Sequence, residues 1–290
     1  MYAELCRRFA GDPAVAAIVG QDPAWDAPLR LLGGLHYLVL AGQASWDDPV
    51  GAHADFLREF VRTQGVQTNE VQRAWVLLPC FLRAAELLDA DEVDVVELGT
   101  SAGLNLVWDR YRHAYEAGSW GPSHSSLTLR GEERVPVPER LLSCRLRVRR
   151  RVGIDLEPID VTMRAGVLML KCFVWADQTD RLERLDAAID VVRTNRLELV
   201  HGDIGEKLRG VLDDSFPTIV FQTAVFGYVR DETVESVRAT LSEPRPLAFV
   251  SAGGGRTGEH VWGMRIFRPG HDREYVGEAD YHGTWLRYEL

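Results

Sequence analysis

Residues 93–115 read VDVVELGTSAGLNLVWDRYRHAY, and this stretch decides the fold. Val93, Val95, Val96 and Leu98 form a short β-branched-rich run that stops at a glycine, the pattern of a strand buried in a parallel sheet. Glu97, Leu98, Gly99, Thr100, Ser101, Ala102 and Gly103 then make a tight turn. Behind it Leu104, Val107, Trp108, Tyr111 and Tyr115 recur at helical spacing, leaving Asn105, Asp109, Arg112 and His113 on the other face. Strand, glycine turn and helix predict the opening unit of a doubly wound α/β sheet, whose ligands lie outside the carboxyl ends of the strands. Gly99 and Gly103 let backbone approach a ligand with no Cβ in the way. A helix start beyond them presents free N–H groups.

The Gly-x-x-x-Gly spacing is not the Gly-x-Gly-x-x-Gly fingerprint, which argues against a pyrophosphate cradle and a nicotinamide oxidoreductase. The stretch resembles motif I of the class I S-adenosylmethionine-dependent methyltransferases, in which the glycine loop follows an acidic residue. Glu97 stands at that acidic position, and Ser101 occupies a place often held by glycine. The longer string ELGTSAGLNL, with its flanks, is similar to an uncharacterised bacterial family, domain of unknown function 2332, placed among those methyltransferases. The resemblance implies S-adenosylmethionine as cofactor, held by Glu97, Gly99, Thr100, Ser101, Gly103 and Asn105. It also implies a Rossmann-like sheet, mostly parallel with an antiparallel last strand, over residues 91–290, with an insertion at about 118–145. A helical region, residues 1–90, precedes it on the acceptor side. The plainer alternative is an α/β turn with no such ligand.

With 290 residues the chain can bury a substantial core. A formal net charge of −10 argues against nonspecific binding to nucleic acid or to acidic membranes. The four cysteines, Cys6, Cys80, Cys144 and Cys172, are scattered without a Cys-x-x-Cys pair, and reduced thiols in a cytoplasm are the simplest account. No basic segment leads into an apolar run at the N-terminus, so no secretory signal is expected. The apolar stretch 29–40 is short and broken by Gly33, Gly34 and His36, so no membrane span is expected. The histidines show no metal-ligand spacing, and no metal is expected.

Before the core strand the pattern is helical: residues 2–10, a helix starting at Asp12-Pro13, residues 29–41, and a helix restarting at Asp48-Pro49 with Phe56, Leu57 and Phe60 inward. A last helix over 69–88, capped by Thr68, runs into the core strand and should lie antiparallel to it. Its start then reaches the carboxyl edge of the sheet, which makes Asn69, Glu70 and Arg73 pocket candidates. Arg73 suits a ligand carboxylate, and Pro79 should kink the helix.

After the core strand, residues 126–130 form a short strand. Arg145, Arg147, Arg149 and Arg151 alternate with Leu146, Val148, Arg150 and Val152, a strand with one basic face expected to be solvated and paired with local carboxylates. It closes on Asp155, which matches the ribose-binding acid of the resembling enzymes. A carboxylate at a strand end suits a vicinal diol, having two oxygens to accept two hydroxyl protons. Asp155 comes 58 positions after Glu97, a long interval, and Glu132 is the alternative acid. Two helices follow over 167–192, joined at Trp175 to Gln178, with Trp175 and Asp177 as either core and cap or pocket residues. Asp203 closes a third strand, either at the adenine-binding position that the resemblance implies or as a helix cap. The fourth strand, 218–221, runs into Gln222 to Tyr228 without the Asn/Asp-Pro-Pro-aromatic string of adenine or glutamine N-methylation. The glycine-rich run 253–258 lacks the Gly-Lys-Ser/Thr of a P-loop. Strands over 261–267, 275–279 and 284–288 predict an antiparallel finish, with a turn near His282 on the ligand side.

These readings converge on a methyltransferase for an unidentified small or medium-sized acceptor. Glu70, Asp177, Tyr228 and His282 are the candidates for acceptor activation, histidine because its pKa suits neutral pH. Arg73, Asp155 and Asp203 join the loop residues as cofactor contacts. A non-catalytic nucleoside-binding protein is the alternative from another class.

Overall fold

The computed structural model describes residues 1–20, 23–67, 70–257 and 261–290. Its helices run α1 (Tyr2–Phe9), α2 (Pro13–Val19), α3 (Ala27–Ala41), α4 (Ala54–Thr63) and α5 (Arg73–Leu88) before the core strand. They continue as α6 (Glu139–Leu142), α7 (Arg164–Cys172), α8 (Thr179–Arg193), α9 (Ile204–Val211) and α10 (Asp231–Ser242). The strands begin with β1 (Glu92–Leu98), β2 (Arg112–Tyr115), β3 (Gly118–Trp120), β4 (Thr128–Arg130), β5 (Glu132–Val135) and β6 (Arg147–Asp155). The remainder are β7 (Glu198–His201), β8 (Thr218–Thr223), β9 (Leu247–Gly254), β10 (Val261–Phe267), β11 (Glu274–Asp280) and β12 (Trp285–Tyr288).

Two compact units result. The first joins Met1–Glu70 to Ile159–Asp186, and the second joins Val71–Pro158 to Ala187–Leu290. The helical region therefore ends at 70 rather than near 90, because α5 packs on β8, β9, β10 and β11. It also takes in α7 from later in the chain.

The helical unit is held by apolar faces. Leu31, Leu35 and Leu38 of α3 are buried with Leu5, Ile18 and Leu57. The Asp12 carboxylate accepts the Ala14 N–H, capping α2 one residue before its proline. Phe56, expected inward, is 38% exposed and lies flat against Tyr37 at 5.8 Å. Trp175 is also largely exposed, with Tyr2 beside its ring at 4.9 Å.

In the second unit β7-β6-β1-β8-β9 form five parallel strands at one side of a nine-stranded sheet. From β1 the chain winds outward through β6 to β7, then returns to β8 on the other side of β1. The winding therefore reverses between β1 and β8. Beyond β9 the order is β10-β11-β12, all antiparallel, with β5 parallel to β12 at the edge. The three antiparallel strands expected at the end of the chain form as a meander, since short connections can join only antiparallel neighbours; the single antiparallel last strand that the resemblance implies is thus exceeded, and β5 adds a further edge strand. Overall the fold is α/β, with a large, mostly parallel sheet and helices.

The helix expected after Gly103 does not form. Residues 101–107 are successive turns, a 3-10 turn covers Trp108–Arg110, and β2 follows in a separate three-stranded sheet, β3-β2-β4. The carbonyls an α-helix would use are taken by side chains. The Tyr111 hydroxyl donates to Leu104 O at 2.6 Å, and His113 Nε2 lies 2.8 Å from Trp108 O. Leu104, Leu106, Val107 and Trp108 are all buried, and Asp109 is drawn in to pair with Arg151, so little of the polar face a surface helix would present reaches solvent. The insertion accordingly starts at β2, before residue 118.

α5 begins at Arg73; the expected cap Thr68 and the candidate Asn69 lie outside the described residues. Its 16 residues span about 24 Å, close to the roughly 23 Å of a seven-residue strand, so its start reaches the carboxyl edge of the sheet. Pro79 lies inside it and is buried. The basic strand is paired with carboxylates: Arg149 with Asp94 and Asp213, Arg150 with Glu198, and Arg151 with Asp109. Among the described residues no helix is long and apolar enough to cross a membrane.

Trp75 fastens the insertion to α5. Its indole N–H donates to Ala114 O at 2.9 Å, and the Tyr115 hydroxyl donates back to Trp75 O at 2.5 Å. Trp75→Phe should lower stability in urea unfolding by about 1–3 kcal/mol, the cost of leaving a buried acceptor unmet. A change under about 0.5 kcal/mol would show that this contact does not hold the insertion.

Candidate functional site

At the carboxyl edge of β1 the loop is fastened to β6. The Gly99 N–H donates to Ile154 O at 2.8 Å, and the Ser101 N–H donates to Asp155 Oδ2 at 2.8 Å. Ser101 and both glycines have positive φ, at 51°, 73° and 75°. A Cβ on Gly99 would stand 2.6 Å from Val225, and one on Gly103 would stand 2.7 Å from Leu197. The bare sides of the glycines therefore face protein side chains. Left-handed backbone and close packing account for them, not the unobstructed approach of a ligand. A Gly103→Val change would disturb the loop itself.

Glu97 is 3% exposed at the end of β1, opposite Gly153 of β6 and Phe221 of β8. Its carboxylate accepts the Thr100 hydroxyl at 2.7 Å. Burial pushes its pKa up to about 8, opposed by that hydrogen bond, raised further by Asp155 and opposed by Arg73. Arg73, at the start of α5, is buried. Its guanidinium lies over the Trp262 ring at 4.6 Å, and its Nε donates to Tyr281 O at 3.0 Å. Asp155 is half-buried; its second oxygen accepts the Glu157 N–H at 2.9 Å. Asn105 carries a buried Oδ1 with no hydrogen-bond partner among the described residues. Such orphans call for a donor.

Arg73, Glu97, Gly99, Thr100, Ser101, Gly103 and Asp155 thus gather around the tips of β1 and β6. Asp203 follows β7 on the same edge. It caps α9 by accepting the Gly205 N–H at 2.8 Å, and it accepts the Thr233 hydroxyl at 3.2 Å. Tyr228 and His282 are exposed; the His282 backbone N–H donates to Asp280 at 3.3 Å. The His282 turn lies at the start of α5, where a Cβ on Gly283 would stand 2.7 Å from Gln72 O. Glu70 and Asp177 belong to the helical unit. There Glu70 is buried between Arg181 at 2.8 Å and Arg184 at 3.6 Å, and Asp177 pairs with the N-terminal amine at 3.6 Å. Glu132 lies on the edge strand β5, with five strands between it and β1, and does not share the site with Asp155.

The glycine-rich loop after β9 binds an internal anion. The Glu278 carboxylate accepts the Arg256 N–H at 2.6 Å and the Thr257 N–H at 3.1 Å, together with the hydroxyls of Thr257 and Tyr275. Those amides are not available to a phosphate; Gly258 lies outside the described residues. Two depressions of about 630 and 700 Å3 open at the opposite, amino edge, around Glu92, Arg145 and Leu146. None of the candidate residues lines them, and ligands of parallel sheets bind at the other edge. Among the described residues no three His, Cys, Asp or Glu side chains gather as metal ligands.

Sequence reasoning missed Val225, Trp262, Tyr281 and the Tyr111 hydroxyl. Each meets its partner through tertiary packing, and only the aromatic at 111 carried a local signal, which reads as helix periodicity.

Residues 45–288 match the family described as "Uncharacterized protein conserved in bacteria (DUF2332)", and the chain belongs to that family. No curated protein matches the chain.

Glu97 gives a pH signature. With its folded pKa raised from 4.5 to about 8, the folded chain keeps a proton that the unfolded chain has lost. Stability should therefore fall as pH rises across that window. Glu97→Gln should match wild type at pH 4 and be the more stable at pH 9 in urea titrations. A stability difference independent of pH would contradict the raised pKa.

Proposed function

We propose that the chain binds S-adenosylmethionine across the tips of β1 and β6 and methylates a small or medium-sized acceptor. The observation that carries the reading is Asp155, a half-buried carboxylate at the tip of β6 that also grips the loop of β1. The strand order supports it. β7-β6-β1-β8-β9 is the third-second-first-fourth-fifth order of a doubly wound nucleotide-binding sheet, with its switch point at β1. The later meander departs from the methyltransferase pattern, and the missing helix after Gly103 removes one anion-binding feature.

The residues present fit the cofactor at several points. Asp155 would take the ribose hydroxyls, since each carboxylate oxygen has a lone pair beyond its backbone bond. Arg73 would meet the amino-acid carboxylate. The orphaned Asn105 Oδ1 would accept a donor, the ammonium group being one. Asp203 would meet the adenine amino group on the lone pairs its capping bonds leave free. The bound cofactor supplies an electrophilic methyl group on a sulfonium. The chain then has to align the acceptor atom and keep out water. Tyr228 and His282, exposed on loops of this unit, would be the candidates to accept the acceptor's proton; Glu70 and Asp177 are engaged in ion pairs. The exposure of Tyr228 and His282 favours a second reading, a nucleoside-binding protein without transfer.

Isothermal titration with S-adenosylmethionine, S-adenosylhomocysteine, NAD and NADP tests the proposal. The first two should bind and the nicotinamide nucleotides should not. Asp155→Ala should weaken S-adenosylhomocysteine by about 1–3 kcal/mol, and Asp155→Asn, which keeps one acceptor, by less. Binding of NAD alone, or unchanged affinity in Asp155→Ala, would overturn the assignment.

A further inference from the structure

A second pocket arises from the way the sheet is wound. Within the parallel portion α9 and α10 each follow a strand and cover its neighbours. β9 is followed directly by β10, so no later helix is laid over that pair on the α10 side. The uncovered patch is a pocket of about 270 Å3. Two alternate rungs of the β9–β10 ladder, on one face of the sheet, form its floor: Phe249 opposite Phe267, and Ser251 opposite Arg265. The Phe226 ring stands 5.9 Å from that of Phe249, and Leu241 and Ser242 of α10 close one wall.

Its charge is one-sided. Arg238, Arg265 and Arg273 line the pocket, and no carboxylate does. Arg265 is fixed, donating to Gly254 O at 2.8 Å and to Gly263 O at 3.0 Å. Arg238 and Arg273 are exposed, and their guanidiniums have no ion pair or hydrogen bond among the described residues. Elsewhere in the unit, arginines such as Arg83, Arg149 and Arg150 are matched to carboxylates. Two unpartnered guanidiniums, with the carbonyl-bound Arg265 beside them and three phenylalanines below, suit an anion with an apolar body.

We propose that this pocket is a binding site for a small aromatic carboxylate. Its ring lies among Phe226, Phe249 and Phe267, and its carboxylate meets Arg238 and Arg273. Size limits the ligand: a cavity of about 150 Å3 holds benzene, so this pocket takes one ring and a short acid arm but not a nucleoside. The site is therefore separate from the one at the tips of β1 and β6 and does not depend on it.

Calorimetric titration with 3-phenylpropionate tests the proposal, with 3-phenylpropionamide and inorganic phosphate as controls. The acid should bind at least about tenfold more tightly than the amide, the scale of one hydrogen bond to a charged group. Phosphate alone should show no comparable binding. The double variant Arg238→Gln, Arg273→Gln should lose at least about tenfold in affinity for the acid with unchanged circular dichroism. Ser242→Trp, which walls the rim, should lose binding too and serves if the double variant fails to fold. Equal affinity for acid and amide, unchanged affinity in the variants, or no binding of the acid would overturn the assignment. So would dimerisation of the free protein that the double variant abolishes while the acid has no effect, since a second copy would then be the occupant.

Discussion

The bond from the Ser101 amide to the Asp155 carboxylate sets the geometry of the whole carboxyl edge. It exists only because β1 and β6 are parallel neighbours in one register, with Leu98 opposite Ile154. To reach it the loop must pass through left-handed backbone at Gly99, Ser101 and Gly103, which only glycine adopts cheaply. The same register seals Glu97 between β6 and β8 and leaves Thr100 as its hydrogen-bond donor. A raised carboxyl pKa, a pinned loop and an acid at the tip of the next strand are three consequences of one pairing.

Charge in this unit is otherwise arranged for internal satisfaction. Asp94 is buried against a bidentate Arg149, and Glu278 fills the amide nest of the glycine-rich loop. A buried carboxylate costs little when its oxygens are met this way. Against that background the Asn105 oxygen beside the β1 loop is one of several buried polar atoms with no hydrogen-bond partner among the described residues, and the arginines on the β9–β10 face have no carboxylate beside them. Both mark where the chain leaves a polar or charged group for something else to meet.

Much of the fold was legible because its signals are local. The β-branched runs at 93–98 and 218–221, the alternation in 261–267 and the cap-plus-proline at Asp12-Pro13 each depend on a few adjacent residues, and each became the expected element. Asp155 was legible as a strand-closing acid, and Arg73 as the start of a helix facing the strand tips. The segment after Gly103 was not. Its aromatic spacing imitates a helix, but Tyr111 and His113 fold back onto Leu104 and Trp108, and periodicity does not register such reversals. Val225 against Gly99 and Trp262 under Arg73 were equally hidden, since partners distant in the chain leave no local pattern. The domain division differed for the same reason: α5 is a helix by sequence but belongs to the sheet by packing.

The central claim is that a nucleoside lies across the ends of two adjacent parallel strands, gripped by the acid that also holds the first strand's loop. A crystal grown with S-adenosylhomocysteine tests it most directly. The account predicts ribose density within hydrogen-bond distance of the Asp155 carboxylate, with the amino-acid end towards Arg73. Well-ordered ligand bound elsewhere, or the loop and Asp155 unchanged with no ligand at saturating concentration, would contradict it.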